Sequence, residues 1–162
     1  MGDKAQELSG ALIRNIHALE LKHFLRGSLF EGRSGSLSDG TAAQKLAANI
    51  DVVPPGKRSC PYHFHHAEEE MFIIMEGRGT LRVAGEMLPI SAGDVIFIPP
   101  GPQYPHHILN TSDGPLKYIS VGTHEPIEIC EYPDSGKYLV GAPNFHAISR
   151  KGEDLDYWDG EI

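Results

Sequence analysis

The chain has two cysteines, Cys60 and Cys130, in 162 residues. That is too few for a disulfide framework, and a reduced, cytoplasmic setting is the expectation. It has no run of Lys or Arg. Fourteen basic residues stand against 22 acidic ones, a net charge of −8. Nucleic acid and anionic membranes bind through a positive field, so neither is expected as a partner. No apolar stretch approaches the roughly 18 residues that cross a bilayer. The N-terminal "MGDKAQELSGALIRNIHALE" lacks a signal-peptide core, and Gln6 stands where a myristoylation signal needs Ser or Thr. Internal repeats and low-complexity tracts are missing as well.

What is present is turn chemistry. Eighteen Gly and 12 Pro, within 40% hydrophobic and 22% charged residues, describe a soluble globule with many short strands. The length fits one domain with a sizeable core. From Lys45 onward, "KLAANIDVV", "EMFIIME", "GTLRVAGE", "DVIFI", "HHILN" and "LKYISVG" are each closed by Gly, Pro, Asn or Asp. Strands at that spacing, with no helical pattern between them, predict an all-β sandwich or barrel. "IEICEYPDSGKYLVG" reads as two strands around a Pro-Asp-Ser-Gly turn. That turn explains Asp134 and Lys137 without a function; a place near the pocket is the other reading. The expected organisation is an N-terminal arm over 1–44, a barrel over 45–150 and an acidic tail over 151–162. Within the arm, "ALIRNIHALELKHF" fits a helix or an extended segment, and "RGSLFEGRSGSLSDGTAAQ" is expected to be irregular.

The stretch "CPYHFHHAEEEMFIIMEG" carries the titratable chemistry. His63 and His65 are two apart, so on an extended strand both imidazoles leave one face, with His66 on the other. Glu70, Phe72, Ile74 and Glu76 share one face of the next strand. Glu68 and Glu69 are expected in a solvated turn. Later in the chain, "AGDVIFIPPGPQYPHHILN" brings His106 and Asn110, with His107 on the opposite face and expected at the surface. Cys60 and Cys130 read as small buried fillers. Tyr62, Gln103 and Tyr104 read as residues of the pocket rim.

These two segments resemble the signatures of the cupin superfamily. His63, His65, Glu70 and Gly77 match H-x-H-x4-E-x6-G at every spacing. Gly93, Pro99, Gly101, His106 and Asn110 match G-x5-P-x-G-x2-H-x3-N, except that four residues separate Gly101 from His106 where the pattern has two. Tyr104 then occupies the position at which the strict pattern puts histidine, while the step from His106 to Asn110 is kept. An additional residue separates the upstream Gly56 from His63. The resemblance implies a cupin-type β-barrel (a double-stranded β-helix, or jelly roll) with an irregular N-terminal arm and an acidic tail. It also implies one divalent metal held by His63, His65, Glu70 and His106. Three imidazoles and a carboxylate suit Mn, Fe, Ni, Co or Zn.

The barrel hosts many reactions, so the fold names none. The leading expectation is a metalloenzyme acting on a small polar metabolite, with isomerisation of a sugar or sugar phosphate first, and Glu76 and Tyr104 as candidates to move the proton. A ferrous dioxygenase and a non-enzymatic small-molecule-binding or sensor module are the alternatives. A phosphate-bearing substrate would need Lys57, Arg58 or Lys117 at the pocket. A homodimer is expected, with the apolar outer face of Met71, Ile73 and Met75 covered.

Overall fold

The computed structural model describes residues 2–152 and 155–161. One helix, α1 (Asp3–Leu12), precedes thirteen strands. These are β1 (Lys22–Arg26), β2 (Phe30–Ser36), β3 (Leu46–Val53), β4 (Phe64–His65), β5 (Glu70–Glu76), β6 (Arg78–Val83), β7 (Glu86–Ser91), β8 (Val95–Ile98), β9 (His106–Leu109), β10 (Leu116–Thr123), β11 (Glu128–Tyr132), β12 (Lys137–Ala142) and β13 (Phe145–Arg150). The strands expected from the alternating segments all form. No helix among the described residues is long and apolar enough to cross a membrane.

One wall is a six-stranded sheet in the order β1-β2-β3-β10-β5-β8. The other is built from β7-β6-β9 and from β13-β12-β11-β4. The isolated bridge His63↔His106 joins those two pieces. This is a jelly roll with its core between the walls, formed by Val53, Phe72, Ile74, Leu81, Ile90, Ile98, Ile108, Leu116 and Tyr118. Alternation explains the choice of residues: Phe72 and Ile74 turn inward from β5 while Met71 and Ile73 turn outward.

Two readings of local structure are corrected. The Gly/Ser-rich segment expected to be irregular contains β2, paired with both β1 and β3. Its small residues are there because other side chains cross the strand. A Cβ on Gly32 would lie 3.0 Å from the Phe24 ring, and one on Gly35 would lie 2.9 Å from Leu19 and Leu21. Composition looked like a loop where packing required thin residues. The second correction is Glu76. The ladder between β10 and β5 pairs Tyr118 with Ile74 and Lys117 with Glu76, which leaves Met75 as an inserted residue. A bulge slips the alternation by one. Glu76 therefore leaves the inward face, and its carboxylate accepts from Lys117 Nζ at 2.9 Å on the outside.

Candidate metal centre and cavity

His63 and His106 are locked together through their backbones. The His63 N–H donates to the His106 carbonyl at 3.1 Å, and the His106 N–H returns to the His63 carbonyl at 2.7 Å. His65 follows on the same face of β4, and Glu70 opens β5. The four side chains meet around one atom. Glu70 Oε2 lies 2.8 Å from His106 Nε2, 3.5 Å from His65 Nε2 and 3.6 Å from His63 Nε2. His66 turns away, half in solvent, to Glu131 at 2.9 Å.

The donor set fits a cation for a reason beyond its composition. His63 Nδ1 donates to the Pro61 carbonyl at 2.8 Å, and His106 Nδ1 donates to the Tyr104 carbonyl at 3.0 Å. An imidazole whose Nδ1–H is committed in this way presents an Nε2 lone pair. Two such lone pairs and a carboxylate oxygen face one another here, an arrangement that requires a positive charge between them. A proton can supply it: burial opposes the charged form of His63, but the contacts with Cys60 and Glu70 push it up to about 11. Burial likewise raises Glu70, yet the hydrogen bonds and charges of His106 and His63 hold it well below the usual carboxylate range. A divalent ion supplies the same charge, and His63, Glu70 and His106 present ligand atoms within 4.8 Å of one another.

Several positions differ from the sequence reading. Neither Glu76 nor Tyr104 joins the cluster: Glu76 is outside, and Tyr104 reaches it only through its carbonyl, with its side chain 41% exposed. His107 is on the opposite face as expected but is buried, not at the surface. It lies under Tyr62, with ring centroids 5.3 Å apart. Burial and then the charges of Arg58 and Arg82 push its imidazole down to about 4. Glu69 is in solvent, but Glu68 is not; its side chain is only 16% exposed and sits 3.6 Å from His65 Nδ1. Tyr62 is buried with the Arg82 guanidinium 3.7 Å above its ring, so it is no rim residue. Asp134 holds that same Arg82 at 2.6 and 2.9 Å, which gives the turn a structural task.

A cavity of about 560 Å³ opens beside the cluster. His63, His65, Glu68, Cys130 and Tyr132 form its inner side, while Leu139 and Phe145 of the β12–β13 hairpin form the other. Cys130 is buried as expected, but it is more than filler, because it pairs directly with His65 across β11 and β4 and so shares its face. Burial raises its thiol, and the nearby His63 opposes this. The Tyr132 ring stacks at 6.1 Å on that of His63, and burial, with Cys130 beside it, raises its hydroxyl. Glu128 is the least visible participant. Its carboxylate accepts three backbone N–H groups, from His66 at 2.9 Å and from Ala67 and Glu68 at 3.0 Å each, and lies 3.3 Å from His65 Nδ1. No spacing motif marks it, since the contact joins positions 62 residues apart.

The cupin-domain family model Cupin_2 matches residues 49–122, the span that contains both histidine segments. An uncharacterized protein of Methanocaldococcus jannaschii is 30% identical over 115 residues, covering 68% of this chain and 81% of that protein. An oxalate-binding protein of Thermotoga maritima is 38% identical over 69 residues, which cover 43% of this chain and 54% of that one. In three dimensions, a sugar phosphate isomerase from a cupin superfamily, from Silicibacter pomeroyi, superposes with a TM-score of 0.76 at 23% identity, covering 90% of this chain and 97% of that one. At that identity the likeness speaks for the fold. The chain belongs to the cupin family.

Proposed function

We propose that this cupin is a metal-dependent enzyme acting on a small polar metabolite, and that its reaction is the isomerisation of a sugar or sugar derivative. His63, His65, Glu70 and His106 hold one divalent transition metal, drawn from Mn, Fe, Ni, Co and Zn. The observation that carries the reading is the convergence of three Nε2 atoms on Glu70 Oε2, with His63 and His65 of that cluster lining a cavity of metabolite size. The name of the Silicibacter pomeroyi neighbour supports the reaction class. When bound, the metal polarises the substrate's carbonyl and hydroxyl oxygens. Proton movement falls to residues lining the cavity, which replaces Glu76 and Tyr104 in that role. Glu68 takes the proton from the carbon beside the carbonyl and returns it to the former carbonyl carbon. Tyr132, kept protonated by burial, gives a proton to the carbonyl oxygen and recovers one from the adjacent hydroxyl. The protein is placed in the cytoplasm, in keeping with its two free thiols.

Elemental analysis of protein purified without added metal tests the site. About one transition-metal ion per chain is expected, with loss in His63→Ala and His106→Ala and retention in His66→Ala. Deuterium incorporation beside the carbonyl of candidate aldoses and ketoses in heavy water tests the reaction. Iron together with oxygen uptake would move the assignment to a dioxygenase. The name of the Thermotoga maritima relative supports a second reading, a binding module without turnover. Saturable ligand binding with no deuterium exchange would establish it.

A further inference from the structure

We propose that the cavity takes an uncharged, polyhydroxylated ligand of the sugar or sugar-alcohol type and rejects the phosphate monoester of the same molecule. This rests on the reading of the histidine cluster as a metal-assisted ligand site. The argument begins with charge. Glu68, Glu125 and Glu128 line the cavity, and no Lys or Arg does. Lys137 comes nearest, with its Nζ over the Tyr132 ring at 4.7 Å from the centroid, yet it is not part of the lining. Lys57 binds the Ser28 carbonyl at 2.8 Å, Arg58 lies over Phe30, Arg82 holds Asp134, Lys117 holds Glu76 and Lys151 holds Glu131. The one helix among the described residues, α1, lies in the N-terminal arm, so no helix N-terminus is there to receive a phosphate. A phosphate monoester carries about −1.5 to −2 charges at neutral pH. Away from the metal and the histidines, such a group would lie among three carboxylates with no Lys or Arg in the lining to pair it.

The carboxylates differ in what they can offer. Glu128 is filled by its three backbone donors. Glu68 accepts one N–H, from Glu125 at 3.1 Å, and otherwise faces His65 and His124 at 3.6 Å. The Glu125 carboxylate has no hydrogen bond or ion pair among the described residues. Glu68 and Glu125 are thus acceptors in want of donors, and hydroxyl groups are donors. The histidines mark the site as well as the acids do: His63 and His65 line the cavity, and their Nε2 atoms converge on Glu70 Oε2 at 3.6 and 3.5 Å, where the metal would sit. Leu139, Pro126 and Phe145, also in the lining, give an apolar surface for the C–H face of a sugar ring. The cavity volume of about 560 Å³ suits a metabolite of that size.

The test uses the zinc-loaded protein at pH 8. Ligand-observed NMR titrations compare ribose, glucose and mannitol with ribose 5-phosphate, glucose 6-phosphate and mannitol 1-phosphate. At least one neutral compound should bind about tenfold or more tighter than its own phosphate, and Glu125→Gln should narrow that gap; Glu68→Gln serves if the first variant does not fold. A phosphate binding as tightly as its parent overturns the proposal, as does a panel in which no neutral member binds. Failure of the metal reading looks different. Zinc would not be retained, and the same titrations on metal-free protein would still report the choice made by the carboxylates.

Discussion

Asp51 pairs with Tyr118 across β3 and β10 and is 8% exposed. Burial raises its carboxyl pKa, and the hydrogen bond with Ser34 only partly opposes this. The folded state therefore holds its proton more tightly than the unfolded chain. Below the unfolded value, near 3.8, this contribution to stability is fully present; it is lost as pH rises through the raised value. Asp51→Asn, which removes the ionisation at nearly constant shape, should raise the melting temperature at pH 7. The advantage should shrink as pH falls toward 4, and a gap independent of pH would refute the burial argument. Glu128 is the other side chain with a specific consequence. Its charge orients the loop that delivers His65 and faces that ring at Nδ1. Glu128→Gln should weaken metal binding by about tenfold or more in chelator competition, the scale of losing an outer-shell partner. If metal affinity of the folded protein is unchanged while thermal stability drops, Glu128 serves the loop alone.

Turns and strands set where those side chains arrive. Gly77 closes β5 at φ 84°, in the left-handed region, and a Cβ there would collide with the Pro115 carbonyl. The glycine of the first signature is thus a backbone requirement that lets β5 turn into β6 beneath the 110–116 loop. Gly77→Ala should cost about 2 kcal/mol or more, from positive-φ strain together with the clash, read by urea denaturation. An effect within 0.5 kcal/mol, the range of an ordinary surface change, would show that the turn relaxes. The signature's asparagine is structural too: the Asn110 side chain donates to the Val53 and Gly114 carbonyls at 2.8 Å each and accepts from Ser112. Both residues were legible from spacing, because local turns recur with local sequence. The bulge at Met75 was not, because it belongs to the pairing of β5 with β10, some forty residues away.

Among the described residues, the chain as a body leaves an apolar surface uncovered on its larger sheet. On the outer face of the six-stranded sheet, Met71 pairs with Phe97 and Ile73 with Val95. Phe97 is 66% exposed and Val95 49%, on the edge strand β8, while α1 has no buried residue of its own. An open edge with apolar side chains invites pairing unless it is covered. We expect a homodimer built on this face. Light scattering at micromolar concentration should give twice the 17.7 kDa chain mass, and Phe97→Glu should shift it toward the monomer. A wild-type monomer would refute this.

Taken by itself, the sequence determined the class of fold and the strands of the barrel, which rest on short-range regularity: alternation along a strand and a glycine at a turn. Its resemblance to the cupin signatures picked out the ligand candidates His63, His65, Glu70 and His106. Only the tertiary structure decided the rest. It moved Glu76 out through a bulge and buried His107 beneath Tyr62. It drew β2 into the sheet under Leu19 and Leu21, and brought Glu68, Glu128, Cys130 and Tyr132 to one cavity. Those outcomes depend on contacts between distant segments, where the partner's side chain, and not the residue's own neighbours, sets the environment. The charge of the cavity is the clearest instance, since it follows from which lysines and arginines the fold engages elsewhere.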